Sequence, residues 1–218
     1  MRPLTDNVPK PLLVAGGRRL IEWQIGALAT AGIREIVINT AHLPDQFESV
    51  LGTGKGLGVT IAYSREGDRA EDALETLGGI VRALSLLGDA PFVVASGDII
   101  TSFDYATLHH RAAALAQGAA DAHLVLVDNP EFHARGDMGL VDGRIAPDAT
   151  ERLTYANVGV FAPRLFARLP LQRARLFPWL YTAAHAGRVT GEHFRGHWHN
   201  VGTPHELARL DAELQAQS

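Results

Sequence analysis

The stretch PFVVASGD, residues 91–98, decides the fold class of this chain. Its apolar run is typical of a short buried strand, and Gly97 and Asp98 stand at the carboxyl end of that strand. Open α/β sheets bind their ligands beyond the carboxyl ends of their strands. We therefore predict that the Asp98 carboxylate lies at a ligand-binding edge, where it could hold a hard cation such as Mg²⁺. The alternative is a turn aspartate that accepts hydrogen bonds from local amides.

Strands and helices alternate on both sides of this stretch as far as about residue 128. Such alternation predicts right-handed βαβ crossovers and a mostly parallel sheet, and the closer spacing of the later strands predicts a mixed or antiparallel extension. We find no repeat or linker, so we predict one α/β domain over residues 1–218. Predicted strands are 35–40, 59–64, 91–98, 122–128, 138–141, 155–161, 189–195 and 197–201, and predicted helices include 18–31, one from 44, one ending at 88, 104–118, 173–186 and 203–216.

The composition is that of an ordinary soluble globule, with 46% apolar and 20% charged residues. A net charge of −4 argues against a nucleic-acid partner or an anionic membrane partner, because both depend on concentrated Lys and Arg. The absence of cysteine excludes disulfides and thiolate metal sites and fits a reducing compartment. No apolar run has the length of a membrane span. We expect a cytoplasmic protein.

Lys10 lies between two prolines in PKPLL, residues 9–13. Proline fixes its own φ and pushes the preceding residue to extended geometry, so the lysine stands on a stiff segment. A point charge held in this way suits a phosphate. A solvated loop lysine remains the alternative.

The stretch LETLGG, residues 74–79, places Thr76, Gly78 and Gly79 at the entrance to a helix. Glycines let a ligand approach the backbone closely, and free amides at a helix start favour anions or a nucleobase edge. A simple loop-to-helix joint remains open as the alternative. His197 and His199, with Glu192 nearby, lack the spacing of a strong zinc motif.

Five stretches in order resemble the sugar-1-phosphate nucleotidyltransferase family. The family's usual pattern is a first strand, a G-x-G-x-R-[LM]-x-P-L-T loop, P-K-P-L, a glycine-containing base loop, a strand ending in G-D, and a late D-x-G-T. The resemblance covers essentially the whole chain and implies a Rossmann-like nucleotidyltransferase fold, with helices on both faces of a mostly parallel mixed sheet. The matching stretches are MRPLT at 1–5, PKPLL at 9–13, LETLGG at 74–79, SGD at 96–98 and NVGT at 200–203.

Two further stretches narrow the resemblance. LVLVDNPEFHARGDMGL at 124–140 and GEHFRGHW at 191–198 are similar to the uridylyltransferases that act on N-acetylmuramate α-1-phosphate in bacterial cell-wall recycling. The resemblance implies transfer of a uridylyl group from UTP to that sugar phosphate, with release of pyrophosphate. A mannose- or glucose-1-phosphate nucleotidyltransferase and a non-catalytic nucleotide-sugar binding homologue remain alternatives. We expect a monomer or a small homo-oligomer.

The resemblance also implies which residues handle phosphate and metal. Lys10 would contact the transferring phosphate or the sugar phosphate, and Asp98 would hold Mg²⁺. Asn200 stands where the family usually has a second metal-binding aspartate. An asparagine can coordinate through its carbonyl oxygen but brings no charge, so we expect a higher Mg²⁺ requirement.

For the organic parts of the substrates, the resemblance implies two further groups of residues. Thr76, Gly78 and Gly79 would line the base and ribose pocket. The residues expected on the sugar side are Gly139, Asn157, Trp198 and, more weakly, Glu192.

The start of the chain departs from the family pattern. The first strand and the G-x-G-x-R loop would both precede Met1, and Arg2 matches a variable position of the loop instead of its phosphate-binding arginine. We therefore expect an N-terminally incomplete domain whose first strand is missing.

Overall fold

The computed structural model describes residues 1–216, so the last two residues of the predicted domain lie outside the described part. The α-helices are α1 Leu20–Thr30, α2 Pro44–Leu51, α3 Glu75–Leu87, α4 Leu108–Ala116, α5 Tyr181–His185 and α6 Pro204–Gln215. The strands are β1 Val14–Ala15, β2 Arg18–Arg19, β3 Glu35–Thr40, β4 Thr60–Arg65, β5 Phe92–Ala95, β6 Ile99–Thr101, β7 Ala122–Val127, β8 Gly139–Val141, β9 Arg144–Ala146, β10 Thr154–Phe161, β11 Val189–His193 and β12 Trp198–Asn200. Among these residues, no helix combines the length and apolarity that a membrane crossing requires.

The chain divides into two compact units. The first unit comprises Met1–Ala73, Gly97–Tyr105 and the segment that begins at His197, and the second comprises Leu74–Ser96 and Ala106–Gly196. Only the second unit is built around one large sheet. The prediction of a single domain stays a prediction.

The first unit contains three two-stranded sheets. Strands β3 and β4 pair in parallel, whereas β1–β2 and β6–β12 are antiparallel. The apolar face of α1 supplies Ile21 and Ile25 to a core that includes Ile38 of β3 and Phe47 of α2. Burying such side chains contributes about 1.5–3 kcal/mol each, so this core holds helix and strands together.

Helix α6 closes the first unit over the β1–β2 hairpin. Its predicted start is confirmed, because Thr203 caps the helix and Glu206 completes a capping box. Further along, the Asp211 carboxylate accepts a hydrogen bond of 2.8 Å from the Gly16 amide in the hairpin turn. Leu210 packs in the same buried cluster as Ala15. The closing helix therefore fixes the hairpin that follows the PKPLL segment.

The second unit is built on a six-stranded sheet with the strand order β5-β10-β7-β11-β9-β8. Strand β7 is buried at every residue and covers all but the last residue of the predicted strand 122–128. The predicted α/β class and mixed sheet are confirmed. Fewer strand pairs are parallel than the alternation of strands and helices in the sequence predicts. Strands β5 and β7 both pair antiparallel with β10, and only β7–β11 is parallel in this sheet.

The predicted helix at 173–186 is wrong in its first half, since only Tyr181–His185 is helical. The backbone of Ala174 is used elsewhere: its amide donates to the Leu74 carbonyl, and its carbonyl accepts from the amides of Leu77 and Gly78. Pro178 also has no amide to give to a helix. The segment therefore serves as a hydrogen-bonding partner for the start of α3.

Candidate active site

Lys10 and Asp98, two residues predicted to handle phosphate and metal, are in contact in the first unit. Lys10 begins a single 3-10 turn over Lys10–Leu12 instead of the extended geometry that the following proline predicts. Its Nζ lies 2.6 Å from Asp98 Oδ2. Both side chains are about three-quarters buried, with 27% and 24% exposed. Partial burial reduces solvent screening, so the two charges attract each other more than a fully exposed pair would.

Gly97 is what lets the PKPLL segment approach the strand end. A Cβ on Gly97 would lie 3.3 Å from Pro11 Cβ and 3.4 Å from a methyl group of Ile21. This spacing is tight for side-chain contacts, so a larger residue would push the proline turn away. The small residue before Asp98 therefore helps to place Lys10 beside the carboxylate.

Asn200 lies on the strand that pairs with the segment following Asp98. It stands opposite Ile99 in the β6–β12 ladder, and the amide of the next residue, Val201, donates to the Asp98 carbonyl at 3.3 Å. The two predicted metal ligands are therefore neighbours across one antiparallel ladder.

The donor set fits Mg²⁺ better than it fits a metal held by protein alone. Within residues 1–216, no group of three or more His, Cys, Asp or Glu side chains could enclose an ion. Mg²⁺ typically takes one or two protein ligands and completes its octahedron with water and phosphate oxygens. Asp98 and Asn200 can supply such a partial set.

A cavity of about 450 Å³ lies beside Lys10 in the first unit. Arg2, His42 and Thr40 contribute to its lining. The Thr40 hydroxyl is buried, and no group in the described part of the chain hydrogen-bonds to it. Buried polar atoms are normally paired, so this hydroxyl is available to a polar ligand. The lining also contains Asp6, whose carboxylate lies 3.2 Å from Arg2 Nε, so Lys10 and the free hydroxyl are the groups that suit a polar ligand.

The second unit carries a separate cavity of about 260 Å³ at the start of α3. Thr76 and Asn157, which the sequence assigned to the base and sugar respectively, both line it. Its wall is aromatic, with Tyr155 and Phe177 in edge-to-face contact at 5.5 Å. Ser96 adds a further polar lining residue. Apolar walls with a few placed polar groups are typical of small-molecule sites.

Two residues of this cavity have strained backbones. Only four non-glycine residues among those described have positive φ, and two of them, Glu75 at +60° and Asn157 at +57°, line the cavity. The strand β10 changes register between Tyr155 and Gly159, which accounts for the turn of the backbone at Asn157. Such conformations cost about 1–3 kcal/mol and tend to cluster at functional sites.

Gly78 and Gly79 are buried inside α3 and do not line the cavity. A Cβ on Gly78 would lie 2.3 Å from the Gln172 carbonyl oxygen. The amides of Leu77 and Gly78, at the start of the helix, already donate to Ala174. These amides are therefore not free for a ligand, and Gly78 instead permits close packing of the segment around Gln172.

Three other residues that were predicted to contact the sugar do not line this cavity. Gly139 is buried at the start of β8, where an added Cβ would meet Ala149 Cβ at 2.3 Å. Trp198 belongs to the first unit and stands opposite Thr101 in the β6–β12 ladder. Glu192 lies on β11 in the second unit.

Glu192 takes part in a polar network with a buried histidine. The His123 ring is fully buried, with Nε2 at 3.0 Å from Glu192 Oε1 and Nδ1 at 2.9 Å from Thr190 Oγ1. The hydrogen bond with His123 is the largest cause that lowers the pKa of Glu192. Electrostatic interactions with His123, Arg111 and His110 also lower the pKa of Glu192, against the opposing effect of burial. This arrangement gives Glu192 a partner within the fold.

Several cavity residues carried no recognisable sequence signal. Glu75 lies within LETLGG, but the family motif gives it no role. Arg175 falls in a segment whose periodicity predicts a helix. Phe177, which also lines the cavity, falls at a spacing that is typical of a helix-core packing residue. The positive φ of Glu75 belongs to the folded backbone and cannot be read from side-chain identity.

The whole chain matches one protein family. The family model described as nucleotidyl transferase matches residues 1–217. The chain is 41% identical to the N-acetylmuramate alpha-1-phosphate uridylyltransferase of Neisseria meningitidis serogroup B over 216 residues, which is 97% of this chain and 92% of the relative. It is 36% identical to the protein of the same name from Caulobacter vibrioides, over 98% of this chain and 91% of the relative.

More distant matches agree on the fold. A mannose-1-phosphate guanylyltransferase of Mycobacterium tuberculosis is 28% identical over 98% of this chain and 61% of the relative. The crystal structure of apo-UDP-glucose pyrophosphorylase is similar at a TM-score of 0.72 with 16% identity, covering 100% of this chain and 94% of that chain. A provisionally assigned glucose-1-phosphate thymidylyltransferase from Bacillus anthracis has a TM-score of 0.80 with 20% identity, covering 99% and 90%. The relatives reported above are sugar-1-phosphate nucleotidyltransferases. The chain therefore belongs to the nucleotidyl transferase family.

Proposed function

We propose that this protein transfers the uridylyl group of UTP to N-acetylmuramate α-1-phosphate. The observation that carries the substrate assignment is the 41% identity to a relative of that name over almost the full length of both chains. In this reaction a phosphate oxygen of the sugar 1-phosphate attacks the α-phosphorus of UTP. The bond between the α-phosphorus and its bridging oxygen to the β-phosphate breaks, and pyrophosphate leaves.

The phosphate chemistry is assigned to the first unit. Lys10, held 2.6 Å from Asp98, would stabilise negative charge on the phosphoryl oxygens. Asp98 and Asn200 would hold Mg²⁺, which would neutralise charge on the phosphates when bound. Little covalent chemistry is asked of the protein, so positioning and charge supply most of the acceleration.

The organic groups are assigned mainly to the second unit. Thr76 and Asn157 would contact base and sugar from the lining of the 260 Å³ cavity. Gly78 and Gly139 would act by permitting close packing of neighbouring segments in the second unit, and Gly79 lies buried beside Gly78 in α3. Trp198 and Glu192, which do not line this cavity, are also proposed to contact the sugar.

The proposed reaction also indicates the compartment in which the enzyme acts and the partners that it has. A UTP-dependent reaction on a sugar of the bacterial wall fits a cytoplasmic enzyme of cell-wall recycling. We assign it small-molecule substrates only, with no nucleic-acid or membrane partner, one domain, and a monomeric or small homo-oligomeric state.

The test is a panel of nucleotides and sugar phosphates assayed for pyrophosphate release with the full chain and Mg²⁺. We expect turnover with UTP and N-acetylmuramate 1-phosphate. Turnover only with GTP and mannose 1-phosphate would favour the activity of the guanylyltransferase relative. Binding of nucleotide sugars without turnover on any pair would identify a non-catalytic homologue.

A further inference from the structure

The cavity of the second unit has a cluster of charges at its edge. The Glu75 carboxylate accepts a hydrogen bond of 3.2 Å from Arg173 Nη2 and lies 3.9 Å from Arg175 Nε. Both Glu75 and Arg175 line the cavity. Two guanidinium groups and one carboxylate leave an excess of one positive charge at this place, which suits an anionic group on a ligand.

Arg175 is the member of the cluster that is free to bind a ligand. Its 3.9 Å approach to Glu75 is too long for a hydrogen bond, and 78% of its side chain is exposed. A guanidinium has five N–H donors in a planar fork that matches a carboxylate. Arg173 makes the shorter contact and holds Glu75 in place.

The backbone conformation of Glu75 is energetically unfavourable. Its φ of +60° is a left-handed conformation that a glutamate rarely adopts. Asn157 has a similar φ on the same cavity. A left-handed acidic residue that bonds one arginine and lies beside a second at a cavity fits a role in ligand recognition.

We propose that Arg175, which lies beside the Glu75–Arg173 pair, binds the carboxylate of the sugar substrate and thereby selects N-acetylmuramate. This inference rests on the proposed function. N-acetylmuramate differs from N-acetylglucosamine by a lactyl ether that ends in a carboxylate. A fork of donors beside a sugar cavity recognises that group and has no partner on N-acetylglucosamine.

The experiment compares two sugar phosphates on Arg175→Met, with UTP as the common substrate. For Arg175→Met we expect KM for N-acetylmuramate 1-phosphate to rise roughly ten- to hundredfold, as expected for loss of a charge-assisted hydrogen bond. KM for UTP should stay unchanged. KM for N-acetylglucosamine 1-phosphate, or its inhibition constant where turnover is absent, should also stay unchanged. Arg175→Lys should recover part of the affinity, because it keeps the charge and loses the fork.

The matched control is Arg82→Met, which alters an exposed arginine of α3. It should leave all three constants unchanged. Equal losses for both sugar phosphates, or a raised KM for UTP, would show that Arg175 binds a phosphate and would overturn the inference. Unchanged constants in folded Arg175→Met, checked by circular dichroism, would overturn it too. If the wild-type chain does not use or bind N-acetylmuramate 1-phosphate, the proposed function fails together with the inference.

Discussion

In the first unit, the phosphate and metal residues expected from the sequence lie together, whereas in the second unit Thr76 and Asn157 line the cavity but the expected glycines are buried elsewhere. Lys10 and Asp98 are 2.6 Å apart. Gly78, by contrast, faces the Gln172 carbonyl. The difference follows from what each residue contributes. A charged side chain acts where it points, while a glycine acts by what its missing side chain allows to approach.

The largest effect should come from removing the charge of Lys10. Lys10→Met should lower kcat/KM by about 10²–10³-fold, because a stabilising charge on the transferring phosphate is lost. The chain contains one other lysine, Lys55, which is exposed. Lys55→Met is therefore the matched control and should retain activity in the pyrophosphate-release assay. Equal activity of the two variants would remove Lys10 from the site.

The next effect concerns the glycine of the second unit. Gly78→Ala should lower the free energy of unfolding by about 1–3 kcal/mol, since its Cβ would overlap the Gln172 carbonyl at 2.3 Å. Gly26 lies within α1 with nothing near the position of a Cβ. Gly26→Ala should therefore raise stability by up to about 1 kcal/mol. Urea unfolding of both variants measures the difference. A Gly78→Ala protein of normal stability with weak UTP binding would restore a direct role for this glycine.

A smaller effect, on stability, separates two interpretations of Glu192: a contact to the sugar or a partner of His123. The folded pKa of this carboxyl lies below its ordinary value of 4.5, so the ionised form stabilises the fold above about pH 4.5. That contribution is lost as the pH falls through the folded pKa. Glu192→Gln should therefore be less stable than wild type at pH 7, and the gap should narrow in acid.

The control for this pH measurement is Glu131→Gln, which alters an exposed glutamate of the same unit. It should follow the wild-type stability curve at every pH. A Glu192→Gln protein with unchanged stability and a raised KM for the sugar phosphate would show that this side chain contacts the sugar instead of serving the His123 network.

The smallest expected change in stability is that of Glu75→Gly. Glycine relieves a left-handed conformation that costs about 1–2 kcal/mol, and the loss of exposed ion pairs offsets this by up to about 1 kcal/mol. We expect a gain of at most about 1 kcal/mol in thermal unfolding, with a several-fold higher KM for the sugar phosphate. Asp142→Gly relieves a φ of +49° in an exposed turn and should leave KM unchanged. A marked loss of stability in Glu75→Gly would contradict the strain account.

Local signals in the sequence predicted local structure well. The strand over Glu35–Thr40 and the cap formed by Thr203 and Glu206 are observed as predicted, because the determining residues are close in the chain. The second cavity could not be predicted in this way. Its lining comes from segments around Thr76, Ser96 and Arg175, which only the folded chain brings together.

The segmental make-up of the first unit has a consequence for synthesis on the ribosome. The second unit is complete once residue 196 has been made, but the first unit still lacks β12 and α6 at that moment. Asn200 and the helix that anchors the hairpin after Lys10 come from these last residues. Premature termination after residue 196 would therefore leave intact the segments that line the cavity at the start of α3. Such a product would lack Asn200 and α6, and with them part of the predicted metal site.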